Sequence, residues 1–386
     1  MTDDGHVLVL NAGSSSVKAA LFDSAGRRVA GGQVAHLHAG PQLLWKSGEN
    51  ARREEALPEA TDHAEAVERL LEVCGGARLA AVGHRVVHGG TTFAAPCRLD
   101  RPTLDALHAL EPLAPLHQPH NLAAVETLLR RHPEIPQVAC FDTAFHRTHE
   151  PLVDRFALPR ALWDEGVRRY GFHGLSYQHA AEVLAAEHPA LHAGRVVVAH
   201  LGAGSSLAAL QGGRSLDTTM GMTALDGLPM ATRPGSLDPG VLLYLLQAKG
   251  MSVEALGEML YGRSGLLGFS GLSGDMKTLA ESGDPRAVEA REFYAWRVAG
   301  GIAQMAASLQ GIDGLVFTGG IGEHDAAIRA AVLGRLGWLG FALEPAANAA
   351  HRRSIAADGS RPVLLVACDE EGVIAAATRR LLAGEA

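Results

Sequence analysis

Val7-Leu8-Val9-Leu10-Asn11-Ala12-Gly13-Ser14-Ser15-Ser16-Val17-Lys18-Ala19-Ala20-Leu21-Phe22 is an apolar run, a short polar break and a second apolar run. It reads as strand, tight turn, strand, with Asn11 to Ser16 making the turn. The pattern returns at Arg195 to Leu210. There Val196-Val197-Val198-Ala199 leads into His200-Leu201-Gly202-Ala203-Gly204-Ser205-Ser206, followed by Leu207-Ala208-Ala209-Leu210. A Gly-Ser-Ser core sits at the same point of both turns. Two unrelated hairpins could look alike, but a duplicated domain, each copy opening with such a hairpin, explains the repeat better.

Outward from these hairpins, apolar runs keep ending in polar loops. Leu79 to Val82 precedes Gly83-His84-Arg85, and Val138 to Phe141 ends at Asp142. Leu315 to Phe317 ends at Thr318-Gly319-Gly320-Ile321-Gly322-Glu323. Val363 to Ala367 ends at Cys368-Asp369-Glu370-Glu371. Helices are expected over Ala326 to Leu336 and Val373 to Leu382, so strands and helices alternate in an α/β architecture. Ligands of such proteins gather beyond the carboxyl ends of strands, where these polar residues stand. The proline-rich stretches Glu111 to Pro119 and Leu228 to Pro239 read as loops.

The 386 residues suit two domains. Hydrophobic residues are 47% and charged residues 20%, a globular profile. A net charge of -8 gives no reason to expect nucleic-acid binding, so any anion site must be a local basic cluster. Lysine occurs only at Lys18, Lys46, Lys249 and Lys277. Cys74, Cys97, Cys140 and Cys368 are scattered, which argues against a disulfide framework or zinc site and for a reducing cytosol. The acidic stretch Met1 to His6 does not read as a signal peptide, and no apolar run is long enough to span a bilayer.

Glycine lets backbone approach an anion, and successive N–H groups with hydroxyls bind phosphate oxygens. One such turn is weak evidence. Two related turns with a third glycine cluster at Gly319 to Gly322, and Lys18 just after the first, are much better evidence for phosphate binding. No GxxxxGK[ST] segment exists, which excludes a Walker-type loop. Arg85 and Arg233 lie among glycines, prolines and small residues in expected loops. Each reads equally as solvated surface or as a fork for carboxylate or phosphate. Glu370 reads equally as a helix-end charge or, with Asn11, as part of a sparse oxygen site for Mg²⁺. Among 19 histidines, His173 and His200 stand out by placement. Nothing suggests an HExxH zinc site or a Ser-His-Asp triad.

Taken in order, these segments resemble the acetate kinase family. The carriers are Asn11 to Lys18, Gly83-His84-Arg85-Val86-Val87-His88-Gly89-Gly90, Ala114-Pro115-Leu116-His117, Phe141-Asp142-Thr143-Ala144-Phe145-His146 and Arg169-Tyr170-Gly171-Phe172-His173-Gly174. Further on come His200-Leu201-Gly202, Asp217-Thr218-Thr219-Met220-Gly221, Ser273-Gly274-Asp275 and Phe317 to Glu323. The resemblance implies duplicated actin/hexokinase/Hsp70-like (ribonuclease H-like) α/β domains flanking a catalytic cleft. It places residues 1–148 with 371–386 on the acyl side and 149–370 on the nucleotide side. It implies Mg²⁺-dependent transfer (Mn²⁺ as an alternative ion) between ATP/ADP and acetate/acetyl phosphate, in a cytoplasmic homodimer. Propionate and butyrate are rival acceptors, and an actin-like nucleotide switch is the rival of another class.

The same resemblance assigns roles. Asn11 and Glu370 hold the metal. Lys18, with Ser14 and Ser16, reaches the nucleotide phosphates. His200, Leu201, Gly202, Ala203 and Gly204 surround ATP, as do Asp275, Met276, Lys277, Gly320, Ile321, Gly322, Glu323 and His324. Arg85 holds the acyl substrate, whose methyl group meets Val87, Leu116, Phe172 and Ala224. Asp142 is the active-site acid, and His173 and Arg233 stabilise the transition state. A carboxylate acceptor, with a pKa near ~4, is already ionised and needs no base, so Asp142 is expected to orient Arg85 or the substrate. The chain departs from the family pattern at Ala203, His324 and Asp369, where Asn is usual. It departs also at Met276-Lys277, where an aromatic and Arg are frequent, and at Ala224, where Pro is usual.

Overall fold

The computed structural model describes residues 5–37, 39–48, 51–75, 77–115 and 117–384; Leu116 therefore lies outside the described residues. The chain divides into two compact units, Met1–Phe145 with Asp369–Ala386, and His146–Cys368. In the first, β1 (His6–Ala12), β2 (Val17–Phe22), β3 (Arg28–Ala35), β4 (Gln42–Ser47), β5 (Ala51–Ala56), β6 (Leu79–Val86), β7 (Cys97–Arg98) and β8 (Gln137–Phe141) make one sheet. Its order is β5-β4-β3-β2-β1-β6-β8-β7. In the second, β9 (Arg195–Leu201), β10 (Ser205–Gln211), β11 (Arg214–Thr218), β12 (Gly314–Thr318) and β13 (Val363–Leu365) run in the order β11-β10-β9-β12-β13.

The two sheets share one plan. An antiparallel meander, β1-β2-β3 or β9-β10-β11, continues through its first strand into two parallel strands, β6-β8 or β12-β13. This is the duplicated actin/hexokinase-like arrangement. The hairpins close in similar register. Asn11 faces Lys18 across the first, and His200 faces Ser206 across the second.

Alternation along the strands sets the layers. Val82 joins the core made by helices His63–Val73 and Gln118–Arg131, including Val67, Leu70 and Leu128. Its neighbour Gly83 turns to the opposite face. A methyl there would meet Thr378 Oγ1 at 2.5 Å and Ile374 Cγ2 at 2.6 Å, so glycine lets helix Glu370–Ala383 press on β6. In the second unit, helix Pro285–Ser308 buries Ala287, Ala290, Tyr294, Val298, Ile302 and Met305, a stripe at three- and four-residue spacing.

Some boundaries differ from the sequence reading. Arg85 stands in strand β6 and not in a loop, and Asn11 belongs to β1, because strand pairing carries past the last apolar residue. The Val363 strand ends at Leu365, and the helix from Ala326 ends at Leu333. The last helix begins at Glu370, three residues before its apolar periodicity, because Asp369 caps it by accepting from the Gly372 N–H at 2.9 Å. Among the described residues no helix is long and apolar enough to cross a membrane.

Candidate active site

In the first unit, four expected residues meet at one guanidinium. Arg85, at the carboxyl end of β6, donates from Nε to Asp142 Oδ1 at 3.1 Å and from Nη2 to Oδ2 at 2.5 Å. Asp142 immediately follows β8 and is 1% exposed. The pair is thus a two-pronged fork, with both carboxylate oxygens engaged. Arg85 Nη1 also donates to Asn11 Oδ1 at 3.3 Å, and Glu370 Oε2 stands 3.7 Å from Nε. The strand ends are themselves braced. Asn121, from helix Gln118–Arg131, accepts from the Val87 N–H at 2.9 Å and donates to Ala12 O at 2.5 Å. Val87 is buried, while Lys18, Ser14 and Ser15 are exposed and Ser16 half-buried. Behind Arg85, burial pushes the His84 imidazole down to about 4, so this neighbour adds no charge at neutral pH.

In the second unit, His173, His200 and Arg233 come together around the β9–β10 turn. His173 Nδ1 pairs with Ser206 Oγ at 2.8 Å, and its ring stacks on His200 with centroids 4.3 Å apart. His200 Nδ1 pairs with Ser176 Oγ at 2.8 Å. Arg233 Nη1 donates to Ala224 O at 2.9 Å. A methyl on Gly204 would lie 2.9 Å from Arg233 Nη2 and 3.0 Å from His173 Nε2. Both cationic-type side chains therefore converge on one point of turn backbone. His173 holds a left-handed conformation, φ 57°, where helix Gly174–Glu187 begins. Non-glycine residues adopt it at a cost of about 1–3 kcal/mol, a strain that clusters at functional sites.

The other nucleotide candidates divide between surface and core. Gly320 is exposed, and Ala203 and His324 present themselves to solvent. Leu201 and Met276 are buried in the apolar core, so only their backbone could meet a ligand. Ile321 packs on that core, and Gly202 is half-buried. Glu323 turns inward: its Oε1 accepts from the Gly319 and Cys368 N–H groups, both at 3.0 Å, tying the ends of β12 and β13 together. Asp275 caps helix Met276–Glu281, and the Thr278 backbone N–H and hydroxyl hold its carboxyl below the ordinary range. Lys277 is exposed, 4.0 Å from Glu281. Phe172 is buried and Ala224 half-buried.

Sequence reasoning missed the hydrogen-bonded support of His173. Ser206 Oγ also pairs with Tyr177 OH at 2.5 Å, and burial raises that phenol's pKa, keeping it neutral. Ser206 was visible only as part of a Gly-Ser-Ser turn. A Ser-His-Asp constellation that nothing in the sequence marked is present: Asp154, His149 and Ser215 are linked at 2.9 Å each. Ser215 is 2% exposed and the His149 side chain fully enclosed, so this is no hydrolytic nucleophile.

Two sheets of one plan make the actin/hexokinase class of fold; one carries a carboxylate-oriented arginine, the other a His–Arg pair over a glycine turn. Residues 6–376 match the Acetokinase family. The chain belongs to that family. It is 47% identical over 391 residues to the acetate kinase of Nitrobacter hamburgensis, covering 97% of this chain and 96% of that protein. It is 47% identical over 392 residues to that of Rhodopseudomonas palustris, covering 98% of each. Among solved structures, a Francisella tularensis propionate kinase matches with a TM-score of 0.91 at 36% identity, covering 97% of this chain and 98% of that one. Porphyromonas gingivalis acetate kinase matches with 0.89 at 36%, covering 98% and 100%.

Proposed function

We propose that the protein is an acetate kinase, transferring the γ-phosphoryl group of ATP reversibly to acetate. The observation that carries the reading is the convergence of Arg233 and His173 on Gly204, within a chain of the acetokinase family. Such donors, aimed at the equatorial oxygens of a transferring phosphoryl group, are worth most where charge develops. Arg85 is the acetate-binding cation. Asp142 fixes its orientation through the fork and takes no proton, because the acceptor is already a carboxylate. The glycine-rich turn Gly202 to Gly204 and the glycine-rich start of helix Gly319–His324 are the nucleotide's backbone contacts, with Lys18 as a phosphate cation.

Asn11 and Glu370 fit a magnesium site. Both offer oxygen, both approach the same guanidinium, and so sparse a set leaves the remaining positions to water and phosphate. Bound Mg²⁺ supplies charge neutralisation on the phosphates. The assembly is a homodimer. Its support is helix Pro239–Gln247, apolar and without a buried residue, with Val241, Leu243 and Tyr244 exposed and Val253 beyond it. The dispersed free cysteines suit the cytoplasm.

The test is hydroxamate capture of acyl phosphate from ATP and Mg²⁺ with acetate, propionate or butyrate. Rapid formation with acetate is expected. No acyl phosphate from any of the three, in folded protein, would overturn the reading.

A further inference from the structure

The acceptor and donor inventory around Ser215 contains more information than its burial. His146 Nε2 lies 2.9 Å from Phe172 O, and a carbonyl oxygen only accepts. His146 Nε2 must therefore carry hydrogen. Burial holds the His146 pKa well below its ordinary value, so the ring is neutral and its Nδ1 is an acceptor. That Nδ1 lies 2.8 Å from Ser215 Oγ, so the serine hydroxyl hydrogen points to His146. Ser215 has one hydrogen. Its second histidine contact, His149 Nε2 at 2.9 Å, must then donate to it. His149 Nδ1 in turn lies 2.9 Å from Asp154 Oδ1, a carboxylate oxygen that accepts, so His149 donates from both ring nitrogens, to Asp154 and to Ser215.

We propose that this is a one-way hydrogen-bond chain, His149 to Ser215 to His146 to the Phe172 carbonyl, and that its members are positioning residues for His173. Each bond fixes the direction of the next. The chain ends one residue before the side chain assigned to transition-state stabilisation, so it rests on the proposed activity.

The surroundings point the same way. Gly171 has φ 74°, and a methyl there would meet His146 Cδ2 at 2.6 Å and Thr218 Cγ2 at 2.7 Å. The His146 ring thus lies directly on the backbone it anchors. Arg147 Nη2 donates to Tyr170 O at 2.8 Å, and the Tyr170 N–H donates to Gly221 O at 3.0 Å. The segment from Tyr170 to Phe172 is held residue by residue, and His173 then departs into the left-handed region. Beside the two histidines stand Arg147, whose Nη1 is 3.2 Å from Asp154 Oδ2, Arg169 and the ring of Tyr177, and Arg147 in turn lies over the Tyr170 ring. A short helix carries His146 and Arg147, the following loop carries His149 and Asp154, and β11 carries Ser215. Three segments thus meet at one hydroxyl.

The test has two readouts. In protein labelled with ¹⁵N-histidine, the ring correlations of both His146 and His149 are expected to show hydrogen on Nε2 at pH 7. A His149 with bare Nε2 would reverse the chain and overturn the proposal. This spectrum does not depend on what the protein catalyses. The kinetic arm uses Ser215→Ala and Ser215→Thr. The alanine is expected to lower kcat about tenfold, leave KM for ATP and acetate within about twofold, and shift the His146 ring signals. Threonine, which keeps the hydroxyl, is expected to restore most of kcat. A folded alanine variant with wild-type kcat and unshifted His146 signals would overturn the positioning role. Wild-type protein without acyl kinase activity would instead remove the underlying functional reading, and leave the chain's direction to be decided by the spectrum.

Discussion

Gly204→Ala tests the convergence of His173 and Arg233 without deleting either. The backbone at Gly204 is not left-handed, so alanine fits the turn itself. Its methyl would sit 2.9 Å from Arg233 Nη2 and 3.0 Å from His173 Nε2. Ordinary van der Waals contact needs about 3.5–4.0 Å, so the two side-chain tips must retreat by about 0.5–1 Å. Arg233 Nη1 is held to Ala224 O and His173 Nδ1 to Ser206 Oγ, so each group pivots about that bond and its opposite end moves. Misplacing a catalytic group by about 1 Å costs on the order of 100-fold. The expected result is a 10- to 100-fold fall in kcat, with KM for acetate within about twofold because Arg85 is untouched. Hydroxamate capture at saturating ATP measures it, and a melting temperature near wild type certifies the fold. A folded Gly204→Ala enzyme with full kcat would refute the reasoning.

Arg85→Ala should lower kcat/KM for acetate by at least about 100-fold, as loss of an oriented cation does; steady-state kinetics near wild type in a folded variant would remove Arg85 from the site. Ala224→Pro should lower the propionate-to-acetate ratio of kcat/KM, since one methylene in an apolar pocket is worth roughly 10–200-fold; an unchanged ratio dissociates position 224 from specificity. His84 gives a pH signature. Its folded pKa, about 4, is below the ordinary 6.5, so the unfolded chain binds the extra proton first. The stabilising contribution is complete above pH 6.5 and drains as pH falls towards 4, by roughly 3 kcal/mol at most. Denaturant titrations of wild type and His84→Gln at pH 7.5 and 4.5 should show a shallower loss in the variant; parallel losses would contradict it.

The duplication was legible because each hairpin writes itself locally, in one apolar run, a glycine-serine turn and another run. The strand ends were legible too, since Asp142 directly follows the buried run of β8 and Thr318 closes that of β12. Arg85 was harder. Its neighbours Gly83 and His84 look like loop residues, and only pairing with β1 and β8 makes them strand. The inward turn of Glu323 was invisible, because a charged residue in a glycine cluster looks solvent-facing until the backbone N–H groups it serves are placed. The Asp154–His149–Ser215–His146 cluster was missed for a related reason. His146 and Ser215 are 69 residues apart, and nothing local marks a buried serine as a junction.

The first unit is assembled from two separate stretches, and this has a consequence for biosynthesis. Its sheet is laid down by residue 141, but helix Glu370–Ala383, which covers β1, β6 and β8, comes more than two hundred residues later. During vectorial synthesis the Gly83 face of that sheet must stay bare while the entire second unit is translated, roughly ten seconds or more at ordinary elongation rates. Buried residues such as Ala20, Phe22 and Ala81 are then open to wrong partners. Growing chains stalled before residue 370 should therefore be strong clients of hydrophobic-surface chaperones, and chains extended past residue 383 should be released.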